Sequence, residues 1–283
     1  MRKMDQRQSN EHLYSGFQTR AWILTMLILA TLGIQADEDN TLQRLPLIDN
    51  SGTYSRPIST ANPTTQAYFD QGLRFAWGFY FPEAIASYQT ASELDPTHPM
   101  PYWGLAHAMG PNPNSRYARM PDDPKGEGAK AIAAAVARIA LATPKEAKLI
   151  TALEKLYDQG QRPSAQDRDT AYLAAMRDLN EQYPIDPDIA ALYAGAYMSI
   201  QRWDYWDSEG NPKSETAEVA AALEGVIATG IQHPGVFHLH IHLIEASRAP
   251  ERALVSANAL EATMPIAGHV VHMPAHIFVR TGD

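Results

Sequence analysis

The chain has 283 residues, of which 45 % are hydrophobic and 19 % charged, a balance that excludes a disordered polymer and allows a large buried core. Its formal charge of −9, with no basic stripe along the sequence, excludes nucleic acid as a partner. There is no cysteine, which excludes disulfides, thiolate metal sites, iron–sulfur clusters, c-type haem attachment and cysteine nucleophiles, so any metal must be held by nitrogen and oxygen.

Residues 1–36 carry a basic lead (Arg2, Lys3, Arg7, Arg20), an uncharged stretch from Ala21 to Ile34, and a small residue, Ala36, before the acidic run Asp37-Glu38-Asp39. That order describes a secretory signal peptide, or an uncleaved N-terminal anchor given the long basic lead. The apolar run is short of the roughly 20 residues of a membrane span. Either reading predicts an exported protein, periplasmic or extracellular, with the membrane touched only through that anchor. Without residues 1–36, four of the 23 basic and two of the 32 acidic side chains are gone, and the remainder has a formal charge of −11.

Residues 37–62, rich in Pro, Ser, Thr and Asn, read as a linker. From Pro63 to the end, residues 63–283, the pattern is helical throughout. Proline punctuation at Pro96, Pro184, Pro187, Pro234, Pro250 and Pro265 separates amphipathic segments of ordinary helix length, and no stretch alternates with the period of a strand. Helices are expected over 99–109, 125–142, 144–158, 165–183, 187–202 and 214–229, with a loop from Pro111 to Pro124.

The internal repeat is the strongest signal. Tyr68, Gln71-Gly72, Phe75, Ala84, Tyr88 and Pro96 fall at the points of a tetratricopeptide repeat, with Gly72 and Ala84 where two helices must approach closely. Ala91 adds a small contact one turn after Tyr88. Later repeats are expected from Pro234 and from Gly268, the first with Pro250 to Ala253 opening its second helix. The fold class is therefore all-α, a solenoid of antiparallel helix pairs. The last repeat lacks a second helix, so the chain is expected to be a fragment or to be capped by a partner.

Several segments together resemble a bacterial family of exported tetratricopeptide-repeat proteins. They include Gly72 to Phe75, Glu83-Ala84-Ile85, Tyr102-Trp103-Gly104, Gly110-Pro111-Asn112, Trp203-Asp204-Tyr205, His238 through Ser247 and Gly268 through Ile277. The resemblance covers most of the chain after Thr64. It implies the fold and a longer protein, but no activity.

Seven of the ten histidines lie between residues 233 and 276. His238 and His242 are four apart and share a helix face, which Glu245 extends; His272 and His276 repeat the spacing. The intervals 238 to 272 and 242 to 276 are both 34 residues, one repeat. Equal positions on neighbouring first helices lie side by side, with axes about 8–10 Å apart, so the two pairs are expected to converge on one ion. The expected metal ligands are His238, His242, His272 and His276, with His269 and Glu245 as further ligands or orienting partners. Zinc, copper and iron all suit such a set. Pro274 either kinks the last helix near Val270 or starts it, which would place His269 and His272 in the preceding loop. His240 points away, His233 reads as a loop residue, and His107 as part of a groove wall. The aromatic cluster from Trp203 to Asp207 offers an aromatic ligand platform, though aromatics at a helix end more often close a core, and Tyr193 and Tyr197 read as packing between helices.

Two functions fit. One is a binding scaffold that takes a protein or peptide in its concave groove, with or without a structural metal on the histidine cluster there. The other is a metalloenzyme with a histidine-bound ion, for which Glu245 is the candidate base.

Overall fold

The computed structural model describes residues 45–113, 124–162 and 164–282. The expected leader or anchor, the first part of the linker and most of the loop between Pro111 and Pro124 lie outside the described residues.

Proline and a polar residue open most helices. Asn62 caps α1 (Pro63–Trp77), its side chain accepting from the backbone of Thr64 and Thr65. Thr143 and Glu146 form a capping box on α5 (Pro144–Glu154), and Asp186 caps α7 (Pro187–Gln201). Proline at the first helical position costs nothing there, because that N–H has no partner within the helix. The remaining helices are α2 (Phe81–Leu94), α3 (Pro99–Met109), α4 (Pro124–Val136), α6 (Ala165–Gln182), α8 (Thr216–Ile227), α9 (Pro234–Ile244), α10 (Leu254–Thr263), α11 (Gly268–His272) and α12 (Pro274–Thr281). Among the described residues there is no strand, only an isolated bridge between Trp206 and Pro212. The expected all-α architecture of paired helices is the one observed.

The repeat signature marks real contacts. Tyr88 on α2 is fully buried between two glycines: a Cβ at Gly72 would stand 2.8 Å from its ring, and one at Gly104 of α3 only 2.4 Å. The small side chains let α1 and α3 close on one tyrosine. Ala84 and Ala91 are fully buried, as expected, and Phe69 packs against Tyr88 with ring centroids 5.5 Å apart. The aromatic at the first signature position, Tyr68, is only half-buried; its neighbour Phe69 takes the core place.

Each helix packs on the next in sequence, and first helices also pack side by side, α1 with α3 and α7 with α9. The array curls far enough that α1 meets α9. Trp77, at the end of α1, lies at that junction: a Cβ on Gly235 of α9 would stand 2.5 Å from its ring. Its indole N–H donates to Asp188 of α7 at 3.2 Å.

The described part of the expected linker, residues 45–62, has no helix but is tied down by polar contacts. Tyr54 donates to Asp188 at 2.6 Å, Arg56 pairs with Asp188 at 2.7 Å and Asp186 at 3.1 Å, and Ser59 bonds Glu146. Its polar composition follows from what it touches. These are buried carboxylates on α5 and α7, which need donors.

Candidate metal centre

Helix α9 carries His238 and His242 one turn apart on the face turned to α1 and to the segment after residue 267. Both rings are buried. His238 is held by the chain itself: its Nδ1 donates to the Trp77 carbonyl at 2.7 Å. Burial, then the neighbouring His242 and His269, hold its pKa well below the usual imidazole range, so the ring is neutral. A neutral ring with its proton on Nδ1 presents a lone pair at Nε2. That atom faces His269 Nε2 at 2.9 Å.

His242 repeats the arrangement with a carboxylate. Its Nδ1 lies 3.3 Å from Glu245 Oε1, and its Nε2 is buried with no hydrogen-bond partner. Burial lowers its pKa, against the opposing pull of Glu245, so this ring too is neutral with a lone pair at Nε2. Burying an unpaired nitrogen costs about 1–3 kcal/mol, which a bound cation would offset. Ligand atoms of His238, His242 and His269 all lie within 4.8 Å of one another.

Glu245, the residue that closes α9, reaches two rings. Its Oε1 faces His242, and its Oε2 accepts a hydrogen bond from His276 Nδ1. Burial would raise its pKa, but the contacts with His242 and then His276 outweigh that and hold the carboxyl below its usual range. The sequence allows it to be ligand, orienting partner or base. Its place behind the Nδ1 atoms is that of an orienting carboxylate, the common companion of a metal-bound histidine.

His272 and His276 pair with each other, Nε2 to Nε2 at 3.2 Å. The expected four-histidine set thus divides. Equal repeat positions face across the helices only for His242 and His276, whose ring centroids are 6.0 Å apart. Across from His238 stands His269, not His272. Pro274 is the physical reason. It has no N–H, so the chain makes tight three-residue bonds around it (Met273 N–H to Val270, His276 N–H to Met273), and α11 and α12 are separate short helices joined at Met273. His269, His272 and His276 then fall on one face, with His269 set deepest.

Two aromatic rings complete the wall: Trp203, from the aromatic run that offered a ligand platform or core closure, and Phe79, which no sequence pattern signals. Phe79, between α1 and α2, lies 4.4 Å from His238 and stacks on His269 at 5.5 Å. Trp203 sets its edge on His242 at 4.9 Å. Both have left-handed backbones, φ 61° and φ 69°, which cost a non-glycine residue about 1–3 kcal/mol and gather at functional sites.

The other histidines lie elsewhere. His240 faces Ser256 at 2.9 Å and Glu224 at 3.4 Å, away from the cluster. His233 is no loose loop residue: fully buried, it caps α9 by accepting from Val236 N–H at 2.9 Å and donates to Asp188 at 3.0 Å. His107 stacks flat on Trp103, with burial lowering its pKa to about 4. It lines an apolar cavity beside Trp77 and Leu239. Tyr193 and Tyr197 tie α7 to the start of α8 through Glu215 and Thr216, and Tyr205 is core.

No family model matches the chain, and no curated protein matches it. Among solved structures, the chain is similar to a thermophilic tetratricopeptide-repeat protein of Thermus thermophilus. The identity is 13 % and the TM-score 0.45, over 76 % of this chain and 99 % of that one.

Proposed function

We propose that this chain is an exported metal-binding protein, in which a helical-repeat scaffold holds one transition-metal ion on His238, His242 and His269. The observation that carries the reading is the buried, partnerless Nε2 of His242 in a cluster where a ligand nitrogen of each of His238, His242 and His269 lies within 4.8 Å of the others. Two nitrogens on one ion, each about 2.0–2.1 Å from it, stand about 2.9–3.4 Å apart for angles between right and tetrahedral. The 2.9 Å between His238 and His269 lies in that interval.

Three imidazoles with no carboxylate on the ion suit zinc or copper better than iron, whose open sites favour a carboxylate ligand. A three-nitrogen shell leaves a fourth position for water or substrate, the arrangement of a catalytic rather than a structural ion. Such an ion acts as a Lewis acid or lowers the pKa of bound water. The chain's own part is to fix the tautomers through the Trp77 carbonyl and Glu245 and to wall the site with Phe79 and Trp203. The metal reading is preferred to a peptide groove because Trp77, His233 and Asp188 fill the inner face where α1 meets α9.

Export rests on the basic, apolar, then acidic order of residues 1–39. Fractionation of cells expressing the full chain tests it, and recovery from the cytoplasm alone contradicts it. The metal reading is tested by elemental analysis of tag-free protein beside His242→Ala and His269→Ala. Loss of the tighter-bound equivalent in both variants, with unchanged helical circular dichroism, is expected. A folded wild type without metal after zinc and copper supplementation contradicts it.

A further inference from the structure

We infer that a second, outer metal ion binds at His272 and His276, a site of its own rather than the other half of a four-histidine shell. The ion is a divalent borderline metal, zinc or copper, since both ligands are imidazole nitrogens. The outer site shares Glu245 with the proposed inner centre but does not depend on it.

Three observations carry it. First, the Nε2 atoms of His272 and His276 are 3.2 Å apart, inside the span of about 2.9–3.4 Å expected for two nitrogens on one ion. Second, His276 is already oriented as a ligand. Its Nδ1–H is taken by Glu245 Oε2, so in the neutral ring Nε2 is a lone pair directed at His272. Third, the platform is fixed. Arg280 of α12 donates to the backbone carbonyls of Glu245 and of Ser247, the latter at 3.0 Å, fastening the helix that bears His276 to the end of the helix that leads into Glu245.

Access separates this pair from His238 and His242. His272 is exposed and His276 half-buried, whereas His238 and His242 are buried. An ion there keeps several waters and exchanges with solvent. The pair also adjoins the inner set, with His269 and His272 ring centroids 5.0 Å apart and those of His242 and His276 6.0 Å apart. Glu245 lies behind both sites, one oxygen to each. The outer pair is therefore placed to take up an ion beside the buried centre.

The test is a titration of the tag-free, metal-stripped full chain with Cu(II), read by equilibrium dialysis and electron paramagnetic resonance. Wild type is expected to bind two equivalents, the second at least about tenfold more weakly, with the resonance broadened by two neighbouring ions. His272→Ala is expected to bind one equivalent at the tighter affinity, with a sharp mononuclear signal. The residue is exposed, so the variant keeps its fold. If His242→Ala costs nothing while His272→Ala still removes one equivalent, the outer site stands and the three-histidine centre fails. A single equivalent in wild type that is lost on His272→Ala and on His242→Ala alike overturns the inference in favour of one shared shell. Two equivalents retained in His272→Ala reduce the pair to hydrogen-bonded imidazoles and overturn it as well.

Discussion

His242 and Glu245 stand three residues apart at the end of α9, and the 3.3 Å contact between His242 Nδ1 and Glu245 Oε1 decides which nitrogen of the ring faces the centre. With the proton held on Nδ1, the lone pair lies on the buried Nε2, which has no hydrogen-bond partner. A local helix contact thus sets the chemistry of a site built from distant parts of the chain.

Glu245→Gln keeps the shape of that contact but removes its charge. Carboxylates behind metal-bound histidines commonly contribute about 10–100-fold in affinity, so zinc affinity should fall by that factor. Competition with a chromophoric chelator measures it. An unchanged affinity would mean that the carboxylate does not support the metal ligands.

Gly104→Ala tests the shared tyrosine. The new Cβ would meet the buried Tyr88 ring at 2.4 Å, and that ring is wedged between α1 and α3. Alanine's better helix propensity recovers at most about 1 kcal/mol. Overpacking costs about 1–3 kcal/mol, so a net loss of stability is expected in urea unfolding.

Asp188 joins the segment before α1 to three helices, through Tyr54, Arg56, Trp77 and His233. Burial would raise its pKa, but Arg56 and then His233 and Tyr54 hold the carboxyl well below its usual range. Asp188→Asn leaves Arg56 without its closest partner. Breaking a buried pair this way costs about 3–5 kcal/mol, visible as a lower urea midpoint.

His107 gives a signed pH effect. Burial lowers its pKa to about 4, while the unfolded chain takes up that proton near pH 6.5. Its contribution is complete above a pH of about 6.5 and is lost as the pH falls towards 4, by up to roughly 3 kcal/mol. His107→Gln should flatten the fall in stability over that window relative to wild type. Parallel curves for the two proteins would refute the assignment.

Much of this is legible in the sequence, for physical reasons that differ by residue. Proline at helix starts and the Gly72–Ala84–Tyr88 signature act locally, so helix positions and the packing of the first repeat can be read directly. The one-repeat interval between histidine pairs places the cluster on α9 and the segment after Gly268. The pairing within it is not legible. It depends on how the chain adjusts around Pro274, which brings His269 rather than His272 opposite His238. Phe79 escapes notice, and Trp203 stands out only as one of an aromatic run, because both reach the site through left-handed turns, where neither helical nor strand periodicity applies. Residues 45–62 look like a linker because their partners, Glu146 and Asp188, lie far along the chain.

X-ray absorption at the zinc edge, on protein loaded with one equivalent, counts the nitrogens around the ion. Three imidazole nitrogens at about 2.0–2.1 Å with one further solvent ligand are expected, and that three-nitrogen shell is expected to be lost in His269→Ala. A first shell dominated by oxygen, or one unchanged in His269→Ala, would contradict a centre built on His238, His242 and His269.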